Sequence, residues 1–162
     1  MESEPLVKLE QDADFVNLQM TNFTEHFSSG EVWYSPPFYF KDGYKICVVV
    51  YPKGVGYGKG THVSLFLKLL KGERDDELKW PYHISANMAL HLPSCTTSFS
   101  SAVRWYPRPT ESSEGEWVLC KNEEFAKLED VLEHLLVDDC FTVKVTVVTG
   151  QLYATVDHNK RH

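Results

Sequence analysis

The sequence has few cysteines, and they lie far apart. Only four occur among 162 residues, at Cys47, Cys95, Cys120 and Cys140, with no C-x-x-C pair. Structural zinc sites need closely spaced ligands, and a domain of this length buries enough core to fold without disulfides. The sequence therefore predicts reduced thiols, no metal site and no cofactor.

Long apolar runs are also missing. No run approaches the roughly 20 apolar residues of a membrane-spanning helix. The acidic opening MESEPLVKLEQDAD lacks the apolar core of a secretory signal. We therefore expect no membrane insertion and a cytoplasmic protein.

Basic residues are outnumbered by acidic ones. The chain has 16 lysines and arginines against 23 aspartates and glutamates, which gives a net charge of −7. Nucleic acids repel such a surface, so nucleic acid is not expected as a partner.

Catalytic and nucleotide-binding motifs are lacking as well. The glycine-rich stretch 54–60 reads GVGYGKG, but Lys59 is followed by Gly60 where a phosphate-binding loop needs Ser or Thr. A β-type run follows this stretch, whereas such loops precede a helix. The stretch is therefore interpreted as a bulged hairpin turn. Cysteine–histidine catalysis needs no adjacent residues and stays open as a lower alternative.

The strongest positive pattern in the sequence is β-structure. Runs rich in Val, Ile, Tyr and Phe cover Tyr44–Tyr51 and His62–Leu70, and these residue types suit a pleated, half-buried surface. In the second run every other residue from Val63 to Leu69 is apolar, while the alternate positions are mixed. This alternation predicts one face against a core.

Further short strands are predicted between turns marked by Gly and Pro. They cover Phe15–Met20, Ser35–Phe40, Ile84–Leu92, Ala102–Tyr106, Trp117–Cys120 and Cys140–Val148. One amphipathic helix is predicted over Asn122–Leu136, because apolar residues recur there at helical spacing. The stretch Thr24–Glu31 is predicted as a turn.

These elements predict an all-β fold, an eight-stranded antiparallel β-sandwich with one short helix. The expected organisation is a flexible acidic lead-in at 1–14, one domain at 15–149 and a polar tail at 150–162.

Several short motifs stand in an order and spacing that together are highly specific. They are SPPFY at 35–39, GYKIC at 43–47, VYPKG at 50–54, GKGTHVS at 58–64, LKWPY at 78–82 and VDDCFTVKV at 137–145. In this order they resemble the C-terminal domain of the tumour necrosis factor receptor-associated factors, the MATH domain of the TRAF family. The resemblance covers residues 15–148.

The resemblance implies a MATH/TRAF-like β-sandwich without enzyme activity, in agreement with the strand pattern. Members of that family bind short extended peptides of receptors or adaptors along an exposed sheet edge, by β-augmentation. The expected function is therefore protein–protein interaction in TRAF-like signal transduction.

The resemblance carries peptide-binding roles onto nine residues of this chain. They are Val49, Tyr51, Val55, Gly56, Val103, Arg104, Ser112, Ser113 and Gly115. Val49 and Val55 stand where the family usually carries an arginine and an aspartate. Each lost charge-assisted contact is worth about 1.5–3 kcal/mol, so we expect a groove with altered, more apolar specificity.

The family usually trimerises through an upstream coiled coil that follows RING and zinc-finger modules. None of these modules is visible in the 162 residues, so we expect either a fragment or a lone domain, and a weak homotrimer stays open. Recognition of substrates for a ubiquitin ligase, as in MATH domains joined to BTB domains, is the second hypothesis. A purely structural role is the third.

Overall fold

Two antiparallel sheets enclose a shared core in the computed structural model, which describes residues 9–11, 15–39, 43–90, 98–100, 104–110 and 116–149. The strands in chain order are β1 (Leu9–Gln11), β2 (Phe15–Met20), β3 (Trp33–Tyr34), β4 (Phe38–Tyr39), β5 (Lys45–Tyr51), β6 (His62–Leu70), β7 (Tyr82–Leu90), β8 (Ser98–Ser100), β9 (Arg104–Tyr106), β10 (Glu116–Lys127) and β11 (Phe141–Thr149).

The strand order confirms the predicted antiparallel sandwich. The first sheet runs β1-β2-β11-β7, and both β8 and β9 pair with β7 at its edge. The second sheet runs β10-β6-β5, and both β3 and β4 pair with β5. Counting β8 with β9 and β3 with β4 as interrupted edge strands leaves the eight expected strands, and β1 adds a short further strand within the expected lead-in.

The core lies between the inner faces of the two sheets. Ile46, Val48 and Val50 of β5 are almost fully buried, and so are the alternate residues of β6 from Val63 to Leu69. From the opposite sheet, Val16, Leu18, Met20, Met88 and Val143 complete the same cluster. The period-2 pattern of the sequence thus places one face of each strand in the core.

The predicted helix over Asn122–Leu136 is wrong in its first half, and its second half is helical. Strand β10 continues to Lys127 along β6, and only helix α2 (Leu128–Asp130) and one π-helical turn (Val131–Leu135) follow. Two register shifts, between Val118 and Cys120 and between Asn122 and Ala126, break the strand alternation. The apolar spacing therefore indicates the helical turns that begin at Leu128, and the prediction placed the start of the helix too early, inside a bulged strand.

A helix replaces the turn predicted over Thr24–Glu31. Helix α1 (Phe23–Ser29) buries Phe23 and ends at Gly30, whose positive φ of 75° suits glycine. The Phe23 ring lies 5.5 Å from that of Phe141 in β11. Helix α1 thereby covers one end of the sandwich.

No helix of the described residues is long and apolar enough to cross a membrane.

Candidate functional site

An aromatic cluster lies on the outer face of the β5–β6 hairpin. Val48 and Val50 point into the core, so Val49 and Tyr51 point outward. Across the hairpin, Val49 pairs with Phe66, and the Tyr51 and Phe66 ring centroids lie 5.1 Å apart. We call the outward side chains of Tyr34, Val49, Tyr51 and Phe66 the aromatic face.

Val49 forms the floor of the aromatic face. It pairs with Tyr34 of β3 on one side and with Phe66 on the other, and it is 0% exposed. Neighbouring side chains therefore cover Val49, and its role is to support the rings beside it. An arginine at this position would bring a charge among them at a large desolvation cost.

Lysines from neighbouring strands bring positive charge to the aromatic face. The Lys68 ammonium lies 5.9 Å from the Tyr34 ring centroid, and the Lys121 ammonium lies 5.9 Å from that of Phe66. Lys121 also lies 3.6 Å from a carboxylate oxygen of Glu123. The interaction of a cation with the face of an aromatic ring is favourable. Here both rings flank the uncharged Val49.

Val55 and Gly56 lie beside Tyr51 and are held in place by β10. The fully buried Ser64 hydroxyl accepts a hydrogen bond from the Val55 amide at 2.9 Å and donates one to the Glu123 carbonyl at 2.7 Å. At Gly56, which has a φ of 60°, a Cβ would lie 2.2 Å from a Glu123 carboxylate oxygen. Glycine is therefore favoured by the backbone conformation, and a larger residue would also displace the Glu123 carboxylate.

The other predicted site residues belong to the opposite sheet edge or lie outside the described residues. Arg104 begins β9, and its backbone pairs with Ile84 of β7. The Tyr106 hydroxyl donates to the Leu119 carbonyl at 3.0 Å, which joins β9 to β10 of the other sheet. Val103, Ser112, Ser113 and Gly115 lie outside the described residues.

Phe66, Tyr34 and Lys121 were not predicted as site residues. Each comes from a different strand and meets the outward residues of β5 only through strand pairing. The sequence did contain one usable signal. In the alternation of β6, Phe66 falls on the side opposite Val63 and Leu65. Its large aromatic ring stands there among the polar residues His62, Ser64 and Lys68.

A comparison with protein families decides what this sandwich is. The MATH domain model matches residues 16–147, which is most of the chain. The chain belongs to the MATH domain family. The TRAF-type MATH domain is a protein-interaction fold.

Several of the similar curated proteins are TRAF proteins. The MATH domain is 43% identical over 58 residues to TNF receptor-associated factor 2 of Homo sapiens, covering 35% of this chain and 12% of that protein. It is 50% identical over 50 residues to TNF receptor-associated factor 1 of Mus musculus, covering 30% and 12%. The chain thus spans about an eighth of the length of these relatives.

A solved structure supports the fold. The MATH domain superposes on TRAF5 of Notothenia coriiceps with a TM-score of 0.69 and 24% identity, covering 85% of this chain and 74% of that one. At 24% identity, this structural similarity supports the fold alone.

The thiols of the MATH domain are poor nucleophiles where they are described. Cys47 and Cys120 are buried. Burial, with Asp138 and Asp139 nearby, raises the pKa of the Cys140 thiol. A raised pKa leaves less thiolate at neutral pH, and the thiolate is the reactive form. Within the described residues, no group of three or more His, Cys, Asp or Glu side chains could hold a metal ion.

Proposed function

We propose that this MATH domain binds short, extended peptides of receptors or adaptors and acts in TRAF-like signal transduction. The observation that carries the proposal is the aromatic face, where Tyr51 and Phe66 pack at 5.1 Å on the outer face of the β5–β6 hairpin. Extended peptides gain affinity from main-chain bonds to a sheet edge and specificity from side-chain pockets. Rigid aromatic rings beside such an edge supply the pocket wall.

The proposed groove extends from the aromatic face toward the edge formed by β9. Val49, Tyr51, Val55 and Gly56 form the described half. The Tyr106–Leu119 hydrogen bond supports the proposal, because it brings the β9 edge next to β10. The other half would be formed by Val103, Arg104, Ser112, Ser113 and Gly115.

The proposed specificity differs from that of family members with a charged groove. Val49 and Val55 offer no charge for a glutamate or a backbone amide, whereas Lys68 and Lys121 stand over neighbouring rings. We therefore propose a preference for peptides with an apolar residue on the rings that cover Val49.

No enzyme activity is proposed, because the described cysteines are buried or carry a raised thiol pKa.

The cellular setting proposed for the domain is the cytoplasm, where its thiols stay reduced. A weak homotrimer is the proposed assembly, by analogy with TRAF-type relatives.

The proposal can be tested by NMR. A Pro-x-Gln-x-Thr-type peptide and an apolar variant of it are titrated into the labelled domain. We expect localised amide shifts at 49–56 and 103–115, and tighter binding of the apolar variant. Tyr51→Ala should weaken binding by at least about tenfold, because it removes a wall of the pocket.

Tyr39→Ala is the matched control, since Tyr39 is an aromatic residue of the same sheet at the far end of β5. Binding should be unchanged in this variant. An unaltered affinity in Tyr51→Ala, or no shifts with either peptide at millimolar concentration, would show that the aromatic face is not the site.

A further inference from the structure

Tyr57 stands almost fully in solvent at the tip of the β5–β6 connection, residues 53–60. It is 88% exposed and lies in a single 3-10 turn, Gly56–Gly58. No ring contact of Tyr57 is found among the described residues. Tyrosines normally bury much of their ring, so folding does not account for this side chain.

The loop that carries Tyr57 is rigid. Among the amides from residue 54 to residue 61, all but one donate a hydrogen bond within the domain. The base of the loop is closed by the Gly60 amide, which donates to the Lys53 carbonyl at 2.8 Å. At the tip, the Tyr57 amide donates to the Glu123 carboxylate at 3.1 Å. Tyr57 is therefore held in one place before any partner arrives.

The neighbouring glycines are explained by packing, but Tyr57 is not. A Cβ at Gly58 would lie 1.8 Å from the Glu123 carbonyl oxygen, and one at Gly56 would meet the Glu123 carboxylate. Gly58 therefore lets the loop approach the backbone of β10, and Gly56 provides the positive φ of the turn. The same glycines leave the Tyr57 ring without bulky neighbours in sequence, and a large partner can reach both faces of it.

The charges that the loop itself carries are all positive, and the Glu123 carboxylate beside its tip is paired with Lys121 at 3.6 Å. The stretch 52–63 has Lys53 and Lys59 but no Asp or Glu, although the chain as a whole has 23 acidic and 16 basic residues. Both lysines are exposed, and neither forms an ion pair within the described part of the chain. The Lys53 ammonium lies 5.3 Å from the Phe27 ring centroid, which fixes its position on one side of the loop. Two unpaired lysines beside an exposed ring complement an acidic ligand.

We propose that the exposed rim of the loop, formed by Lys53, Tyr57 and Lys59, is a second docking site for an acidic linear segment of a partner protein. It is distinct from the proposed groove, to which Val55 and Gly56 of the same loop belong. An apolar residue of that segment packs on the Tyr57 ring, and flanking carboxylates meet Lys53 and Lys59. Tyrosine suits this role, because it offers a large contact area at a low cost in side-chain entropy. An acidic membrane is disfavoured by the net charge of −7.

The test is a selection of short random peptides displayed on phage against the wild-type domain. Affinities of the selected peptides are then measured by fluorescence polarisation at low and at high salt. We expect a class of peptides with net negative charge whose affinity falls at least about tenfold in Tyr57→Ala. Lys53→Glu and Lys59→Glu should weaken the same peptides, and so should salt.

Three control variants separate this site from other effects. Tyr51→Ala should leave this class of peptides unaffected, whereas it weakens ligands of the aromatic face, so the two proposals fail independently. Tyr57→Phe should keep most of the affinity, because the ring supplies the contact. Lys79→Glu reverses an exposed charge near Tyr44, beyond the opposite end of β5, and should have no effect.

Three outcomes would overturn the proposal. No selected peptide depends on Tyr57, or the peptides that depend on it carry no excess of negative charge. The third outcome is that sedimentation shows self-association of the wild-type chain but not of Tyr57→Ala. A second copy of the chain would then be the ligand of the loop. Tyr57 is exposed, so Tyr57→Ala should fold normally, and an unchanged amide spectrum away from the loop checks this.

Discussion

Glu73 is a residue whose ionisation the fold alters. Its carboxylate accepts a hydrogen bond from the Tyr39 hydroxyl at 3.0 Å and lies 3.9 Å from the Lys45 ammonium. Its own backbone amide, the Tyr39 hydroxyl and the charge of Lys45 hold the pKa of Glu73 below its ordinary value. Burial and the same hydrogen bond raise the pKa of Tyr39.

Replacing Tyr39 by Phe should raise the pKa of Glu73 toward its ordinary value of 4.5, because the charged carboxylate loses a donor. The lowered pKa means that Glu73 stabilises the folded state above pH 4.5, and this contribution disappears as the pH falls through the folded-state pKa. An NMR titration of the Glu73 side chain measures the effect.

Tyr34→Phe is the control for this titration, since Tyr34 is also an exposed tyrosine on the edge of the same sheet but pairs with Val49. It should leave the pKa of Glu73 unchanged. Equal pKa values in wild type and Tyr39→Phe would show that the hydrogen bond is not maintained in solution.

At this scale the resemblance located Tyr51, Val55 and Gly56 on one end of the hairpin, where the structure has them. It did not locate Phe66 or Lys121, because these side chains reach the same face only through pairing between β5, β6 and β10. A single strand contains no signal about the residue opposite to it on the next strand.

Among the elements, helix α1 depends on a residue far away in sequence. The Asp139 carboxylate accepts hydrogen bonds from the Thr24 amide at 3.0 Å and from the Thr24 hydroxyl at 2.6 Å. The Asp139 carbonyl accepts from the Phe23 amide at 2.9 Å. Asn22, directly before the helix, makes no side-chain cap. The first turn of α1 is therefore completed by the segment that precedes β11.

Asp139→Gly should destabilise the domain by about 0.5–2 kcal/mol, because it removes the cap of α1. Glycine accepts the φ of 61° at this position, so the change adds no backbone strain. Urea unfolding measures the free energy of unfolding, and faster hydrogen exchange of the Thr24 amide would show that the helix end is the part affected.

Asp138→Gly is the matched control, since Asp138 also has a positive φ, of 52°, but caps no helix. It should leave the Thr24 amide protected. If both variants lose the same stability and the exchange of Thr24 does not change, Asp139 is not the cap that the geometry indicates.

Two elements show why local patterns were insufficient. The region of α1 contains a Ser-Ser-Gly turn signal, and its cap stands 115 residues away from Thr24, so no local motif predicted a helix. The apolar residues from Phe125 onward have helical spacing, but the Ser64 hydroxyl and the ladder to β6 hold the backbone as a bulged strand up to Lys127, and helical turns begin only at Leu128. Tertiary hydrogen bonds outweighed local propensity in both places.

At the scale of the whole molecule, the two sheets share one core. Buried side chains from β2, β7 and β11 form a single cluster with those of β5 and β6. Neither sheet can keep its apolar face buried without the other, so the domain should unfold as one unit. We propose 15–149 as the extent of this unit.

Urea unfolding should therefore give coincident transitions by tryptophan fluorescence and far-ultraviolet circular dichroism. Leu67→Ala, at a fully buried position, should lower both midpoints together and cost about 2–5 kcal/mol. Lys79→Glu, an exposed change, is the control and should shift neither midpoint. Two separate transitions would mean that the sheets are independent.

The sequence by itself determined the fold class and the family. Period-2 alternation predicts a core face for regular strands such as β6, though not for the bulged β10, and the ordered motifs from 35 to 82 identify the MATH domain. Only the tertiary structure decided which side chains form the aromatic face, which residue caps α1 and why Tyr57 stands free between two glycines. These features depend on contacts between strands distant in sequence, and such contacts exist only once the sheets have paired.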